Sequence, residues 1–294
     1  MSNRPKILIT GASGFLGRPL VASLSARADI IPAILDGRRA DLLNRDDRAA
    51  LIKGSPADIL IHLAWFTEHG KFWGADANQA WQDASIDLFA RFYASGGQRI
   101  VGIGSCAEYD WTTGAERFFE SDPIAPHTEY GAAKARTSDE LATLAAQHSA
   151  SWAWGRVFFS FGPAEPTGRL IPLILNAVRE RQTLGIGPGD TVRDFCAVDH
   201  VGRALSALSL SAVQGPVNLG GGHEIRFSEL ARIANALAGG TTVVETDRRA
   251  LGTGEPRILV ADTARLRTEV GFVPPDQLSS DLADYYRTDF APVG

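Results

Sequence analysis

Lysine is scarce in this chain: Lys6, Lys53, Lys71 and Lys134 are the only ones, against a long roster of arginines. The overall balance is acidic, with a net charge of -5, which disfavours a nucleic-acid binder, since such proteins usually carry a basic surplus. Two cysteines, Cys106 and Cys196, are too few for a disulfide framework and have no metal-ligand spacing, so a reducing cytoplasm is the expected home. The six histidines are scattered, and His62 and His69 are too far apart for one helical metal face, so no metal site is expected. No apolar run approaches the roughly 20 residues of a membrane helix. The stretch Met1–Lys6 lacks the charged, apolar and small-residue regions of a secretion signal. There is no internal repeat and no low-complexity segment. What is present is ordinary for a globular protein: 45% hydrophobic and 21% charged residues over 294 positions, enough for one large α/β unit or two modest domains.

The first half alternates β-rich and helical patterns. Lys6–Thr10 reads as a buried strand, Arg18–Arg27 as a helix and Ile30–Leu35 as a second strand. Asp46–Lys53 reads as a helix, Asp58–Ala64 as a third strand, Asn78–Ser95 as a long amphipathic helix and Arg99–Ile103 as another strand. Tyr130–His148 is an Ala-rich helix and Trp152–Phe159 is strand-like. This alternation predicts an α/β fold with a doubly wound parallel sheet. Glycine and proline multiply after Phe161, which predicts a smaller second lobe. The expected division is a dinucleotide-binding domain over residues 1–160, rejoined by segments near 195–217 and 226–240, and a lobe built mainly from 161–294.

Thr10-Gly-Ala-Ser-Gly-Phe-Leu-Gly17 sets Gly11, Gly14 and Gly17 between the first strand and the first helix. A backbone that must come close to a pyrophosphate needs glycine there, and the helix start offers N–H groups and a positive dipole end to the anion. A glycine triplet alone is weak, because any turn before a helix favours glycine. The preceding strand, the following helix and Asp36 some way downstream strengthen it. Asp36 can accept a hydrogen bond from an adenosine 2′-hydroxyl, as in NAD(H), whereas Arg38 and Arg39 can hold the 2′-phosphate of NADP(H); a solvated charged loop is the plain alternative. NADP(H) is slightly preferred.

Tyr130-Gly-Ala-Ala-Lys134 puts a phenol and an ammonium four residues apart on one helical face. A cation beside the phenol is expected to lower its pKa and make it a proton donor to a carbonyl oxygen at neutral pH. Ser105 follows the strand Arg99–Ile103, and a hydroxyl at the C-terminal end of a sheet strand faces the crevice where such folds bind ligands. A surface i,i+4 pair is the plain reading of Tyr130 and Lys134. The order of glycine loop, strand-end serine and Y-x-x-x-K decides against it.

With these motifs the chain resembles the extended short-chain dehydrogenases that act on nucleotide sugars. The resemblance rests on TGASGFLG (Thr10–Gly17), HLA (His62–Ala64), YGAAK (Tyr130–Lys134), RVFFSFGP (Arg156–Pro163), VRDFCAVDHV (Val192–Val201), NLGGG (Asn218–Gly222) and the terminal ADTARLRTEVGFVP. It implies a cofactor touched by Gly11, Gly14, Phe15, Leu16, Gly17, Asp41, Leu42, Leu63, Ala64, Tyr130, Lys134 and Phe158, with Asp41 and Leu42 flanking the adenine and Lys134 on the nicotinamide ribose. It also implies a nucleotide-diphosphate sugar held by Phe159, Arg193 and Arg257, the arginine forks suiting phosphate oxygens, and a homodimer through the helices Asn78–Ser95 and Tyr130–His148. Trp65, Phe66, Glu68, His69 and Trp111 are candidates for the sugar pocket, though large aromatics are more often core.

Within that family the segment Ser105–Tyr109 narrows the reaction. Dehydratases follow the active hydroxyl with an Asp-Glu pair; here Cys106 and Ala107 stand in those positions, and Glu108 is one residue late, on the opposite face of an extended strand. The epimerising cysteine of GDP-fucose synthases is replaced by Ala107, with Cys106 one place away. The resemblance therefore implies reduction of the C4 ketone of a nucleotide-linked 4-keto-6-deoxy sugar, with Tyr130 as proton donor and Ser105 steadying the oxygen. A 4-epimerase with recycled NAD and a non-catalytic NAD(P)-sensing protein are the alternatives.

Overall fold

The computed structural model describes residues 4–68, 70–249, 251 and 254–291. Its centre is a parallel sheet of six strands: β1 (Lys6–Thr10), β2 (Asp29–Pro32), β3 (Ile59–His62), β4 (Arg99–Ser105), β5 (Ser151–Val157) and β6 (Gly215–Leu219). They lie in the order β6-β5-β4-β3-β1-β2, every pair parallel. The apolar runs in β1 and β3 are continuous because helices cover both faces. One face carries α1 (Gly17–Leu24) and α6 (Val198–Leu210), packed through Leu20, Leu24, Val201 and Leu205. The other carries α2 (Arg45–Gly54), α3 (Ala77–Ala94) and α4 (Glu129–Gln147), with Leu51, Leu88, Phe89 and Leu141 in their shared core. Asn44 caps α2, its side-chain oxygen accepting the amides of Asp46 and Asp47 at 2.8 and 3.1 Å.

A second core forms around α5 (Leu170–Glu180) and α7 (Phe227–Leu237), with Phe161, Ile174, Leu230 and Ile233 buried between them. A four-stranded sheet, Ile225–Arg226, Val192–Arg193, Ile258–Ala261 and Arg117–Phe118, lies beside it. The chain does come back to the parent sheet through α6 and β6. The expected second return near 226–240 does not occur: the apolar stripe of α7 is buried against α5 in the second lobe.

Two strand expectations are also corrected. The run Ile30–Leu35 breaks after Pro32, which pairs with Ile9 on the sheet edge, where proline is tolerated. Ile34–Leu35 instead forms a small antiparallel hairpin with Arg38–Arg39. Its two-residue turn has φ of 48° at Asp36 and 77° at Gly37, the Asp-Gly combination that such tight hairpins favour. Likewise β5 ends at Val157, and Phe159–Phe161 pairs separately with Phe195–Ala197. Among the described residues no helix is long and apolar enough to cross a membrane.

Leu205 is fully buried between α6 and the sheet, so Leu205→Ala should lower unfolding free energy by about 2–5 kcal/mol. Val273→Ala, at a residue 63% exposed, should stay within about 0.5 kcal/mol. Equilibrium denaturant unfolding checks both.

Candidate functional site

β1 is flanked by β2 on one side and β3 on the other, so the connections diverge above its C-terminal end and open a crevice. The glycine loop sits there. A methyl on Gly17 would lie 2.2 Å from the Gly11 carbonyl oxygen, so only glycine lets the helix start so close to the strand. Gly11 in turn lies against the backbone of Leu63 and Ala64. No side chain caps α1, and although the Arg18 amide donates to the Gly14 carbonyl at 3.1 Å and Pro19 has none, the helix start still turns its positive dipole end to an anion. This cradle fits the pyrophosphate of a dinucleotide, with Gly14, Phe15 and Leu16 on the same turn. His62 is a clasp below it: Thr10 Oγ1 and Ser85 Oγ lie 2.9 Å from its two ring nitrogens. Burial, with the nearby Lys134 charge, lowers its pKa to about 3, so the ring is neutral.

The adenosine end differs from expectation. Asp36 is exposed at the hairpin tip, beyond the end of β2, and not at the strand terminus where an acid meets a ribose hydroxyl. Arg38 is committed to Asp47 through two hydrogen bonds of 2.6 and 2.7 Å, and that pair holds the Asp47 carboxyl down at about 2. Asp47 also accepts the Asp41 amide at 2.8 Å, so the bridge braces the Asp41–Leu42 loop. Leu42 turns its side chain into the core, while Asp41 stays exposed.

The three catalytic candidates converge. β4 ends at Ser105, and a short 3-10 turn, Cys106–Glu108, follows immediately. α4 crosses that turn closely: a methyl on Gly131 would stand 2.2 Å from the Ala107 carbonyl oxygen, so the glycine in YGAAK is what admits Tyr130 beside Ser105. Thr128 starts the helix, accepting the Gly131 amide at 3.0 Å. Lys134 is 4% exposed, with Nζ donating to the Ile103 carbonyl at 2.8 Å and lying 3.8 Å from the Trp65 ring centre.

The ammonium does not acidify the phenol as the i,i+4 spacing predicts. Nζ is 5.9 Å from the Tyr130 ring centre and is held by Ile103. Burial raises the Tyr130 pKa, with Glu108 and Cys106 pushing the same way, while the Ser105 hydroxyl (through a hydrogen bond) and Arg169 pull it down. Burial lowers Lys134 to about 7, partly opposed by the Glu108 charge. Glu108 itself is not on an extended strand: the 3-10 turn carries its carboxylate beneath Ser105, fully buried against Arg156.

On the substrate side, Phe158 is buried and Phe159 half-buried under the Arg193 guanidinium, 5.4 Å from its ring centre. Arg193 does not stand open to a ligand. It is 1% exposed, donates to the Val192 and Arg257 carbonyls and pairs with Glu255 at 2.7 Å. Arg257 points outward and pairs with Asp190. A cavity of about 240 Å³ beside Glu255 is lined by Leu170, Ile186, Phe227 and Arg249, so Arg249 is a cation of this lobe that the sequence pattern does not single out.

Of the aromatic candidates, Trp65 covers Lys134, and Trp111 donates from Nε1 to the Cys106 carbonyl at 3.0 Å. Phe66 is half-buried, Glu68 is exposed and pairs with Lys71, and His69 lies outside the described residues. Phe72 and Trp73 pack edge-on to Tyr130, ring centres 4.9 and 5.7 Å away. Nothing in the sequence periodicity marks them, because they sit in the loop between β3 and α3.

Unfolding should expose the Lys134 amine and restore its usual affinity for a proton. Between about pH 7 and 10 the unfolded chain then binds the proton that the folded one has released, so folding stability should rise with pH over that window. Lys134→Met should abolish that increment; equal pH slopes for both proteins in denaturant titrations would refute the buried, weakened amine.

The description "NAD dependent epimerase/dehydratase family" belongs to the sequence profile that matches residues 7–220. A dTDP-glucose 4,6-dehydratase of Streptomyces griseus is 25% identical over 94% of this chain and 92% of its own. A dTDP-6-deoxy-L-talose 4-dehydrogenase (NAD(P)(+)) of Kitasatospora kifunensis is 26% identical over 92% of this chain and 91% of its own. Among solved structures, a UDP-N-acetylglucosamine 4-epimerase from Methanobrevibacter ruminantium M1 superposes with a TM-score of 0.83 at 22% identity, covering 97% of this chain and 98% of that one. A Thermus thermophilus UDP-glucose 4-epimerase in complex with NAD gives 0.81 at 20% identity, covering 97% and 99%. Glycine cradle, strand-end serine and Tyr-Lys helix thus stand on a shared scaffold, and the chain belongs to the NAD-dependent epimerase/dehydratase family, as an enzyme of the extended short-chain dehydrogenase type.

Proposed function

We propose that the protein reduces the C4 ketone of a nucleotide-linked 4-keto-6-deoxy sugar with NAD(P)H. The observation that carries this reading is the chemistry missing around Ser105. Elimination and epimerisation next to a ketone both need an acid or base beyond Tyr130. Ala107 has no such group, burial pushes the Cys106 thiol up to about 12, and Glu108 is locked under the strand by Arg156. What remains is proton donation by Tyr130 to the substrate oxygen, with the Ser105 hydroxyl holding that oxygen. The name of the Kitasatospora relative, a 4-dehydrogenase of a 6-deoxy sugar, fits the same reaction class.

When bound, the dinucleotide supplies the two-electron reducing equivalent. Gly11, Gly14 and Gly17 with the start of α1 would hold its pyrophosphate, Leu63, Ala64 and Phe158 would wall it, and Lys134 would hold its nicotinamide ribose. NADP(H) is the preferred form: no carboxylate stands at the end of β2, and Arg39 is exposed on the hairpin beside Arg38. The substrate diphosphate would meet Arg193, displacing the Glu255 carboxylate, with Arg257, now paired with Asp190, as the second cation and Arg249, paired with Asp247 beside the cavity, as a further one. Pairing of two copies through α3 and α4, and a cytoplasmic home, belong to the same proposal.

The test is incubation with nucleotide-linked 4-keto-6-deoxy sugars while NAD(P)H absorbance is followed. Stoichiometric loss of NAD(P)H is expected; product formed without net oxidation would instead mean a 4-epimerase, and no turnover a sensor. Tyr130→Phe should lose roughly 10²–10⁴-fold in kcat and keep cofactor affinity.

A further inference from the structure

The most heavily engaged ionisable side chain near the site is one that the reaction leaves unused. Glu108 is fully buried, and each of its oxygens has partners. Oε1 accepts the Ser105 backbone amide at 2.8 Å and the Trp154 indole N–H at 3.0 Å. Oε2 accepts the Arg156 Nε–H at 2.8 Å. Ser105 reciprocates, its side-chain oxygen accepting the Ala107 amide at 3.2 Å, so strand end and turn close into one capped loop. Arg156 extends the network. It donates to the Tyr109 hydroxyl at 3.2 Å, Tyr109 donates to Asn218 at 2.6 Å, and Asn218 donates to the Phe118 carbonyl in the second lobe's sheet at 2.8 Å.

A buried ion pair adds little stability by itself, since desolvating two charges offsets much of their attraction, and a packed apolar pair serves as well. What it provides is a single geometry. From it we infer that Glu108 is a positioning residue for the reaction: it fixes the Ser105 turn that presents the hydroxyl to the substrate oxygen, and it sets a buried carboxylate on the Ser105 amide, two residues along β4 from the Ile103 carbonyl that holds the Lys134 amine. The inference rests on the reductase reading for its kinetic half only. Around Lys134 the charged or titratable neighbours are Glu108 from the turn, Tyr130 from its own helix and His62 from β3, the last neutral. Of these Glu108, ion-paired with Arg156, is the one that raises the amine's proton affinity.

Two variants separate the two roles. Glu108→Gln keeps the shape and removes the charge, while Glu108→Asp keeps the charge and withdraws the reach to the Ser105 amide. With 13Cε-labelled lysine the four lysines give four NMR signals, and Lys134 is identified by its loss in Lys134→Met. In the unaltered protein its midpoint should lie near about 7. Glu108→Gln should move it lower, whereas Glu108→Asp should leave it in place. Both should lose kcat, by up to roughly 10²-fold, with KM and cofactor affinity within about two-fold, as misplacement of a reacting group requires. The inference is overturned if the Lys134 midpoint stays put in Glu108→Gln, or if kcat holds in both variants. Should the glutamine variant fail to fold, the aspartate variant still tests kcat, and Glu108→Leu, which also removes the charge, replaces it in the lysine titration: an unchanged Lys134 midpoint there overturns the charge role. If the unaltered enzyme reduces no 4-keto sugar, the reductase reading falls while the lysine titration still decides the electrostatic half.

Discussion

Two backbones touch where α4 crosses the turn after β4, and the site exists because they do. The contact admits no side chain at Gly131, so the helix comes down until Tyr130 reaches Ser105 and Lys134 reaches the Ile103 carbonyl. A larger residue there would lift the whole first turn of α4 and separate phenol, hydroxyl and amine together. The parallel sheet supplies the platform, but this one van der Waals limit sets the distances on it.

Electrostatics at the site follow from enclosure more than from pairing. Each of the three ionisable groups nearest the reaction is pushed toward its neutral form by burial: His62 and Lys134 down, Tyr130 up. Glu108 differs in its partners, paired with Arg156 and accepting hydrogen bonds on both oxygens. The pocket floor is thus a poorly solvated chamber over the buried Glu108–Arg156 pair, an arrangement in which hydrogen bonds to a polar ligand gain strength.

The parts of this design that are legible in sequence are those with local signatures. Glycine spacing between a strand and a helix, and Y-x-x-x-K on a helix, are consequences of backbone geometry within a few residues, and so Gly11–Gly17 and Tyr130–Lys134 can be read directly. Ser105 can be read because a strand end is a local feature. Most of the departures are non-local. Arg38 reads as a ligand for phosphate because nothing in the sequence says that Asp47, on the next helix, faces it. Glu108 reads as part of an extended strand because its partner Arg156 lies on another strand, 48 positions away. The acidified phenol fails because i,i+4 spacing brings two side chains to one face but does not say which acceptor the lysine prefers. Asp36 departs through turn chemistry: the Asp-Gly pair that makes a tight hairpin outweighs the continuation of an edge strand already weakened by Pro32. Phe72 and Trp73 belong to a loop, where no periodicity speaks.

For the diphosphate binding proposed above, the tie between Arg193 and Glu255 has a consequence for selectivity. Because the guanidinium already holds a carboxylate, an incoming anion does not add to the lobe's charge balance but changes places within it. The gain on binding is a difference between two anions, and most of the Coulomb attraction cancels. On the proposed reading a singly charged competitor has little to offer in that exchange, whereas a group with two phosphates brings more acceptor oxygens than the carboxylate it displaces. On that reading the lobe discriminates by exchange, and no desolvated, uncompensated guanidinium is held in the meantime.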